Sequence, residues 1–273
     1  MTRMIESTDG VTVALHDLGG NGPPLLFLHA TGFHGRCYRQ IAERLHDHFH
    51  VWAPDLRGHG DSITPDMALP WAGMVDDALA VIDHLELDEP VHACGHSMGG
   101  ATVLATELRR PGSIRRAWLY EPIVFPRVHE MKTRENPLAE GARRRRDNFA
   151  SIDDVIDRYT GRGPFTNVDA ATLRDYVIHG FRETDGGVAL KTTGENEART
   201  FEGLDLDLFA LLGEVTVAVT VVASGDGESP SLIAPSVAEA LPRGVLTPWA
   251  DRSHFGPLED PDRAAAEILQ ALT

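Results

Sequence analysis

Short apolar runs, each followed by a helical pattern, are the feature that most restricts the fold of this chain. The runs lack the alternation of apolar and polar residues that marks a half-exposed strand, and they occur at 25–30, 49–55, 91–94 and 114–120. Such runs are typical of strands buried on both faces of a sheet. Apolar residues at helical spacing lie between them, as at Trp71, Val75 and Leu79. Strands that alternate with helices predict an α/β fold with a mostly parallel central sheet and helices on both faces.

Two further regions complete the predicted organisation. Alternating runs on both sides of Asp9 and Gly10 predict an opening β-hairpin. From Ile123 to Gly213 the sequence shows no clear buried strand, only amphipathic helical patterns. We therefore expect a core formed by residues 1–122 and 213–273, with residues 123–212 inserted as a helical cap.

Composition excludes several classes of partner. The formal net charge of −16 would repel nucleic acid and anionic lipid surfaces, so neither is an expected partner. No stretch approaches 18 consecutive apolar residues, and the first ten residues carry charges rather than a hydrophobic leader. Cys37 and Cys94 lack metal-ligand or redox spacing. A soluble cytoplasmic protein is expected, with Cys94 as a small core residue and with no metal or organic cofactor; the oligomeric state stays open.

One motif carries chemistry. The pattern G-x-S-x-G occurs as Gly95 to Gly99, with Ser97 at its centre. Alone the pattern is weak, but here it follows the apolar run at 91–94 and precedes a helical stretch. That strand–turn–helix setting is what a nucleophile elbow requires. Ser97 is therefore the predicted nucleophile.

At this point the chain resembles the α/β-hydrolase superfamily. The resemblance covers residues 24–122 and 213–273, and its motifs occur in the order of that family. They are the G-x-S-x-G turn, "FLHATGFHG" from Phe27, "APDLRGHGDS" from Ala53 and "SHFGPLEDP" from Ser253. The resemblance implies an α/β-hydrolase fold and a hydrolytic activity. None of these motifs identifies a substrate.

The resemblance also implies the partners of Ser97. His254, on the loop before the last helix, would be the general base. The backbone N–H of Met98 would be one oxyanion donor, and Thr31 the second; Ala30 stands where the family has glycine, so Gly32 or Phe33 are alternatives. We expect His96 to pack away from the site, His29 and His59 to shape loops, and the other histidines to lie on the surface.

The triad acid has three candidates. Glu121 is a single carboxylate at the end of the apolar run at 114–120, where some members of the superfamily carry their acid. Asp226 and Glu228 follow the later strand, in the more common place for that acid, but Asp226 is out of register. A neighbouring imidazolium would offset the cost of burying a carboxylate at the catalytic edge. We therefore favour Glu121.

The cap is expected to form the substrate pocket. Its apolar stripes should bury against the catalytic edge and create a largely apolar pocket near Phe33, Val124, Phe125 and Phe255. The four arginines from Arg143 to Arg146 would fan around a helix, which favours a solvated surface. Tyr159 and Tyr176 are expected to pack in the cap.

These features predict a serine hydrolase that cleaves a small or medium carboxylic ester, thioester or lactone through an acyl-enzyme. The expected partner is a small molecule with an apolar portion. Alternatives on the same fold are hydrolysis of a carbon–carbon bond in a diketone or ring-cleavage product and cofactor-free haloperoxidase-like chemistry. A ligand-binding, receptor-like protein is the competing class.

Overall fold

An eight-stranded sheet forms the centre of the protein. The computed structural model describes residues 1–126 and 136–273. The strands of the large sheet are β1 (Thr2–Glu6), β2 (Thr12–Gly19), β3 (Pro24–Leu28), β4 (His50–Asp55), β5 (Val91–His96), β6 (Ile114–Tyr120), β10 (Ala218–Ser224) and β11 (Gly244–Trp249). Their order across the sheet is β1-β2-β4-β3-β5-β6-β10-β11. Among the described strands of this sheet, only the pairs β1–β2 and β2–β4 are antiparallel, so the predicted opening hairpin and the mostly parallel sheet are both confirmed.

Helices cover both faces of this sheet. One face packs against α2 (Trp71–His84), α3 (Met98–Arg109) and α8 (Ser229–Ala240), and the other against α1 (Arg39–Leu45) and α10 (Pro261–Leu272). The short helix α9 (Gly256–Glu259) precedes α10. Because apolar layers lie on both sides, central strands such as β5 are buried along their whole length. This burial explains why those strands read as continuous apolar runs.

The segment between β6 and β10 differs from the expected all-helical cap. Its helices are α4 (Pro137–Arg143), α5 (Ile152–Tyr159), α6 (Ala170–Gly180) and α7 (Gly194–Glu202). It also contains a small antiparallel sheet of β7 (Asn148–Phe149), β8 (Phe181–Thr184) and β9 (Gly187–Leu190), in the order β7-β9-β8. Asp185 and Gly186 form the turn of the β8–β9 hairpin. An Asp-Gly turn between short strands is a hairpin signal that the helical interpretation overlooked.

The parallel register places the ends of several strands at one edge. His96 pairs with Tyr120, Val222 pairs with Tyr120, and Ser224 pairs with Trp249. The residues that follow these strands therefore leave the sheet side by side. In open α/β sheets, this edge is where ligands bind.

Within the described ranges, no helix is both long enough and apolar enough to cross a bilayer.

Candidate active site

Ser97 occupies a sharp turn between β5 and α3. Its φ of 56° and ψ of −117° are unusual for a residue with a side chain. Backbone hydrogen bonds hold the turn: the N–H of Ser97 donates to the Tyr120 carbonyl (2.9 Å), and its own carbonyl accepts from Gly100 (3.0 Å) and Ile123 (3.2 Å). A non-glycine residue in such a conformation costs of order 1–3 kcal/mol and persists only where its surroundings impose it. The turn has the geometry of a nucleophile elbow.

Two glycines make this turn sterically possible. A Cβ at Gly95 would lie 2.6 Å from the Cα of Gly100, and a Cβ at Gly99 would lie 2.1 Å from the Leu28 carbonyl oxygen. Neither distance is compatible with a side chain unless backbone moves. The two glycines of the motif thus permit α3 to approach β3 and β5 closely.

Glu121 is fully buried at the end of β6, and both of its carboxylate oxygens are engaged. Oε1 accepts from the backbone N–H of Ser224 (2.7 Å), and Nδ1 of His254 donates to Oε2 (2.5 Å). Its φ of 44° turns the chain away from the sheet at this point. The lone acidic residue of the apolar run therefore faces a histidine and a backbone donor, which together offset its burial.

Asp226 and Glu228 lie on the loop after β10 and are exposed. Asp226 Oδ2 accepts from the backbone N–H of His254 (2.8 Å), and Oδ1 accepts from the N–H of Glu228 (2.9 Å). Asp226 thus contacts the main chain of His254 and not its imidazole. Its role in the geometry is to hold the two loops together.

The loop carrying His254 is held by further buried groups. Nε2 of His96 donates to the His254 carbonyl (2.7 Å), and the Tyr120 hydroxyl donates to the Ser253 carbonyl (2.7 Å). The other ring nitrogen of His96 accepts from the Tyr38 hydroxyl (2.9 Å), which in turn accepts from the N–H of Ala30 (3.2 Å). Burial lowers the pKa of His96, so the ring is neutral and serves as a link between two loops.

The loop at 29–33 contacts the turn of Ser97. The Thr31 hydroxyl lies 3.4 Å from the sulfur of Met98. The N–H of Gly32 donates to Nε2 of His59 (3.2 Å), and the N–H of Phe33 donates to the Ala30 carbonyl (3.1 Å). Of the three candidate donors Thr31, Gly32 and Phe33, only Thr31 has a backbone N–H without an acceptor in the described part of the chain.

His29 and His59 are buried and bonded to the main chain through both ring nitrogens. Nε2 of His29 accepts from Leu56 (2.9 Å) and Nδ1 donates to the Ala30 carbonyl (2.9 Å); Nδ1 of His59 donates to the Arg57 carbonyl (3.0 Å). Burial lowers the pKa of His29 to about 3 and also lowers that of His59. These bonds fix the loop at 29–33 against the loop after β4.

Among the residues that the structure describes, the expectation that the other histidines lie on the surface was wrong for three; His129 lies outside the described residues. His16, His34 and His92 are also buried. His16 lies 2.9 Å from Asp55, and His34 donates to the Tyr176 carbonyl (3.1 Å). Histidine is amphipathic enough to pack inside a protein, and a sequence does not reveal which histidines do so.

The buried neutral histidines predict loss of stability on mild acidification. A folded-state pKa below the unfolded value of about 6.5 means that the unfolded chain binds more protons below that pH. Burial lowers the pKa of His29 to about 3 and also lowers the pKa of His34, so both histidines contribute stability above pH 6.5 that is lost as pH decreases. For His29 the loss is up to ~1.4 kcal/mol per pH unit. Urea unfolding at pH 7.0, 6.0 and 5.0 should show a falling free energy of unfolding. His34→Gln should reduce the slope, and an unchanged slope would contradict this account.

A cleft of about 510 Å³ opens beside the loop at 29–33. Its lining combines aromatic rings with arginines and includes Phe33, Phe149, Tyr159, Phe165, Tyr176, Arg144, Arg145, Arg146, Arg158, Arg162 and Glu197. The rings of Phe165 and Tyr176 are 4.7 Å apart, and those of Tyr159 and Phe165 are stacked at 4.9 Å. The two tyrosines thus pack as expected in the inserted segment, and they also line the cleft.

Arg145 contradicts the expectation of a fully solvated arginine run. Helix α4 ends at Arg143, so the following arginines do not fan around one helix. The Arg145 side chain turns inward, pairs with Glu197 and donates to the Tyr176 hydroxyl (2.9 Å) and to Tyr159 (3.3 Å). Arg143 does lie at the surface, where it pairs with Glu195 and Glu202.

The four residues expected near the pocket do not all line the cleft. Phe33 lines the cleft, and its ring centre is 5.6 Å from that of Phe255. Val124 is buried in the core on the side of the sheet that includes Met98. Phe125 is half-buried and is not among the residues that line the cleft.

One cluster within the described residues has metal-ligand spacing. Ligand atoms of His16, Asp55 and Asp61 lie within 4.8 Å of one another. Asp55 already accepts from the backbone of Gly35 (2.8 Å) and of Asp61 (2.7 Å), and Lys191 pairs with Asp61. These contacts satisfy the carboxylates, so the donor set does not favour a cation.

Comparison with known proteins decides the family. The sequence profile of the Alpha/beta hydrolase family matches residues 25–267. The chain belongs to the alpha/beta hydrolase family. As an alpha/beta hydrolase, it is 27% identical over 214 residues to 2-(acetamidomethylene)succinate hydrolase of Mesorhizobium japonicum, across 78% of this chain and 73% of the relative.

Solved structures of other alpha/beta hydrolases share the fold. The crystal structure of E-2-(acetamidomethylene)succinate hydrolase superimposes with a TM-score of 0.84 at 22% identity, covering 100% of this chain and 98% of the other. The enol-lactonase from Burkholderia xenovorans superimposes with a TM-score of 0.74 at 22% identity, covering 99% of each chain. These likenesses confirm the predicted fold.

Proposed function

We propose that this alpha/beta hydrolase is a serine hydrolase that cleaves the acyl bond of a small carboxylic acid derivative through an acyl-enzyme. An ester, thioester or lactone is the predicted substrate type. The observation that carries the proposal is Ser97 on a strained turn at the same sheet edge as the hydrogen-bonded pair of buried Glu121 and half-buried His254. The relative from Mesorhizobium japonicum, whose name specifies a succinate derivative, supports a small acyl compound.

In this mechanism Ser97 attacks the carbonyl carbon while Nε2 of His254 takes the hydroxyl proton. His254 then gives that proton to the leaving group, and a water activated by the same ring releases the acid. The bond between Nδ1 of His254 and Glu121 holds Nδ1 as the donor, so that Nε2 is the nitrogen free to accept. Glu121 also stabilises the imidazolium that forms.

Direct contact with the imidazole of His254 supports Glu121 as the triad acid over Asp226 and Glu228. Glu121 is buried and bonded to the imidazole, whereas Asp226 bonds the backbone of His254. Glu228 is exposed on the same loop as Asp226. The orienting acid of a triad must contact the ring of the base, because it acts by fixing the tautomer and direction of that ring.

For the oxyanion we propose the backbone N–H groups of Met98 and Thr31. The N–H groups of Gly32 and Phe33 are already bonded to His59 and Ala30, which argues against them. Met98 is the first residue of α3, so its N–H points out of the helix end. We further propose that residues 123–212 act as a cap that shapes the substrate site.

A fluorophosphonate probe tests the serine mechanism against the ligand-binding alternative. We expect intact mass spectrometry to show addition of one probe molecule to the wild-type protein, with loss of fluoride. Ser97→Ala should remain unlabelled. Ser113→Ala changes a serine beside the starts of β5 and β6, at the opposite edge of the sheet from Ser97, and should label like wild type. A wild-type protein that is folded and stays unlabelled would favour the binding-protein class.

A further inference from the structure

The cleft beside the loop at 29–33 carries charge of the opposite sign to the rest of the protein. The chain has a net charge of −16, yet the cleft lining includes five arginines and a single acidic residue, Glu197. A cleft lined by one sign of charge concentrates ligands of the other sign. An anionic ligand is therefore the class that this cleft would attract.

The arginines differ in how far their charge is already neutralised. Arg145 pairs with Glu197, and Arg146 lies 3.6 Å from Asp154 and 4.4 Å above the ring of Phe149. Arg144 is 3.8 Å from Glu140, at the limit of an ion pair. Arg158 and Arg162 have no acidic partner in the part of the chain that the structure describes, and both are exposed. These two provide the uncompensated charge.

The cleft reaches the loop at 29–33, which carries the proposed oxyanion donor Thr31. Gly32 and Phe33 line it directly, and the Tyr176 hydroxyl donates to the Gly32 carbonyl (3.3 Å). The ring of Phe33 contacts that of Phe255, which follows His254 in the chain. A ligand in the cleft would therefore lie against the loop that includes Thr31.

We propose that the substrate carries a carboxylate separate from the acyl group that is cleaved, and that Arg158 and Arg162 bind that carboxylate in the cleft. This inference rests on the proposed serine hydrolase function. A volume of about 510 Å³ suits a small ligand. The planar guanidinium group matches a carboxylate with two parallel hydrogen bonds, and the aromatic wall accommodates the carbon chain between the two ends.

The kinetic test compares two esters that differ mainly in charge, mono-p-nitrophenyl succinate and p-nitrophenyl butyrate. We expect the double variant Arg158→Gln/Arg162→Gln to lose about tenfold in kcat/KM on the succinate ester, mainly through KM, because each lost charge-assisted bond weakens binding. Activity on butyrate should stay within about twofold. Arg182→Gln, which removes an exposed arginine of β8 outside the cleft, should change neither value.

A binding measurement separates this inference from the serine mechanism. Calorimetric titration of the Ser97→Ala protein with succinate should detect binding that weakens at high salt and is lost in the Arg158→Gln/Arg162→Gln background, while neutral succinamide should not bind. Equal losses on both esters, or succinate binding that survives the double substitution, would overturn the carboxylate assignment. Probe labelling of Ser97 does not involve the arginines, so it would still report separately on the serine mechanism.

Discussion

Ser97→Ala is expected to abolish hydrolysis of any ester that the wild-type protein turns over. Loss of the nucleophile in a serine hydrolase triad can cost about 10⁶ in kcat, because attack, proton transfer and acyl-enzyme formation all depend on the same hydroxyl. The substitution removes one heavy atom from a residue that is 7% exposed, and it leaves the backbone hydrogen bonds of the turn in place. The measurement is the initial rate on p-nitrophenyl esters.

The control for this prediction is stability. Circular dichroism and the Tm of Ser97→Ala should match wild type closely, since alanine and serine tolerate the positive φ at this turn about equally. His254→Ala should lose nearly as much activity, and the two losses should not add in the double variant. A folded Ser97→Ala protein that retains a substantial fraction of the rate would refute the serine mechanism.

Glu121→Gln is expected to reduce kcat by about 10⁴, the loss seen when a triad loses its orienting acid. The amide is nearly isosteric with the carboxylate, and its oxygen can still accept from Ser224. It removes the negative charge that stabilises protonated His254, and it can present a donor to Nδ1, which favours the wrong tautomer. The same ester assay measures the effect.

Two matched variants make the test of the acid specific. Glu228→Gln should stay near wild type, because that side chain is exposed and bonds neither the ring nor the backbone of His254. Asp226→Asn should have an intermediate and much smaller effect than Glu121→Gln, since it perturbs one backbone bond to His254. A larger loss in Asp226→Asn than in Glu121→Gln would transfer the triad acid to the loop after β10.

The strands of the large sheet could be predicted from sequence because strands buried on both faces consist of continuous apolar runs. Prediction from sequence failed for the β8–β9 hairpin, whose strands are only four residues each. Strands this short carry too few residues for a periodicity to stand out from the helical patterns beside them. The Asp185-Gly186 turn was the available signal.

Arg145 shows a different kind of failure. A solvated surface was predicted for Arg143 to Arg146 on the assumption that all four lie on one helix, but α4 ends at Arg143. Helix ends are poorly determined by local propensity, and a shift of one or two residues redirects every side chain that follows. The ion pair of Arg145 with Glu197 depends on α7, about fifty residues further along the chain.

The sequence by itself determined the α/β class, the order of the strands of the large sheet along the chain and the turn that carries Ser97, because each depends on residues that are close neighbours. The resemblance to the superfamily also narrowed the predicted triad acid to Glu121, at a strand end, and to Asp226 and Glu228, in the loop after a later strand. Only the tertiary structure decided that Glu121, and neither Asp226 nor Glu228, contacts the ring of His254, and that arginines gather at one cleft. The physical reason is that these contacts join residues far apart in sequence, so they exist only after the parallel strands bring their ends to one edge.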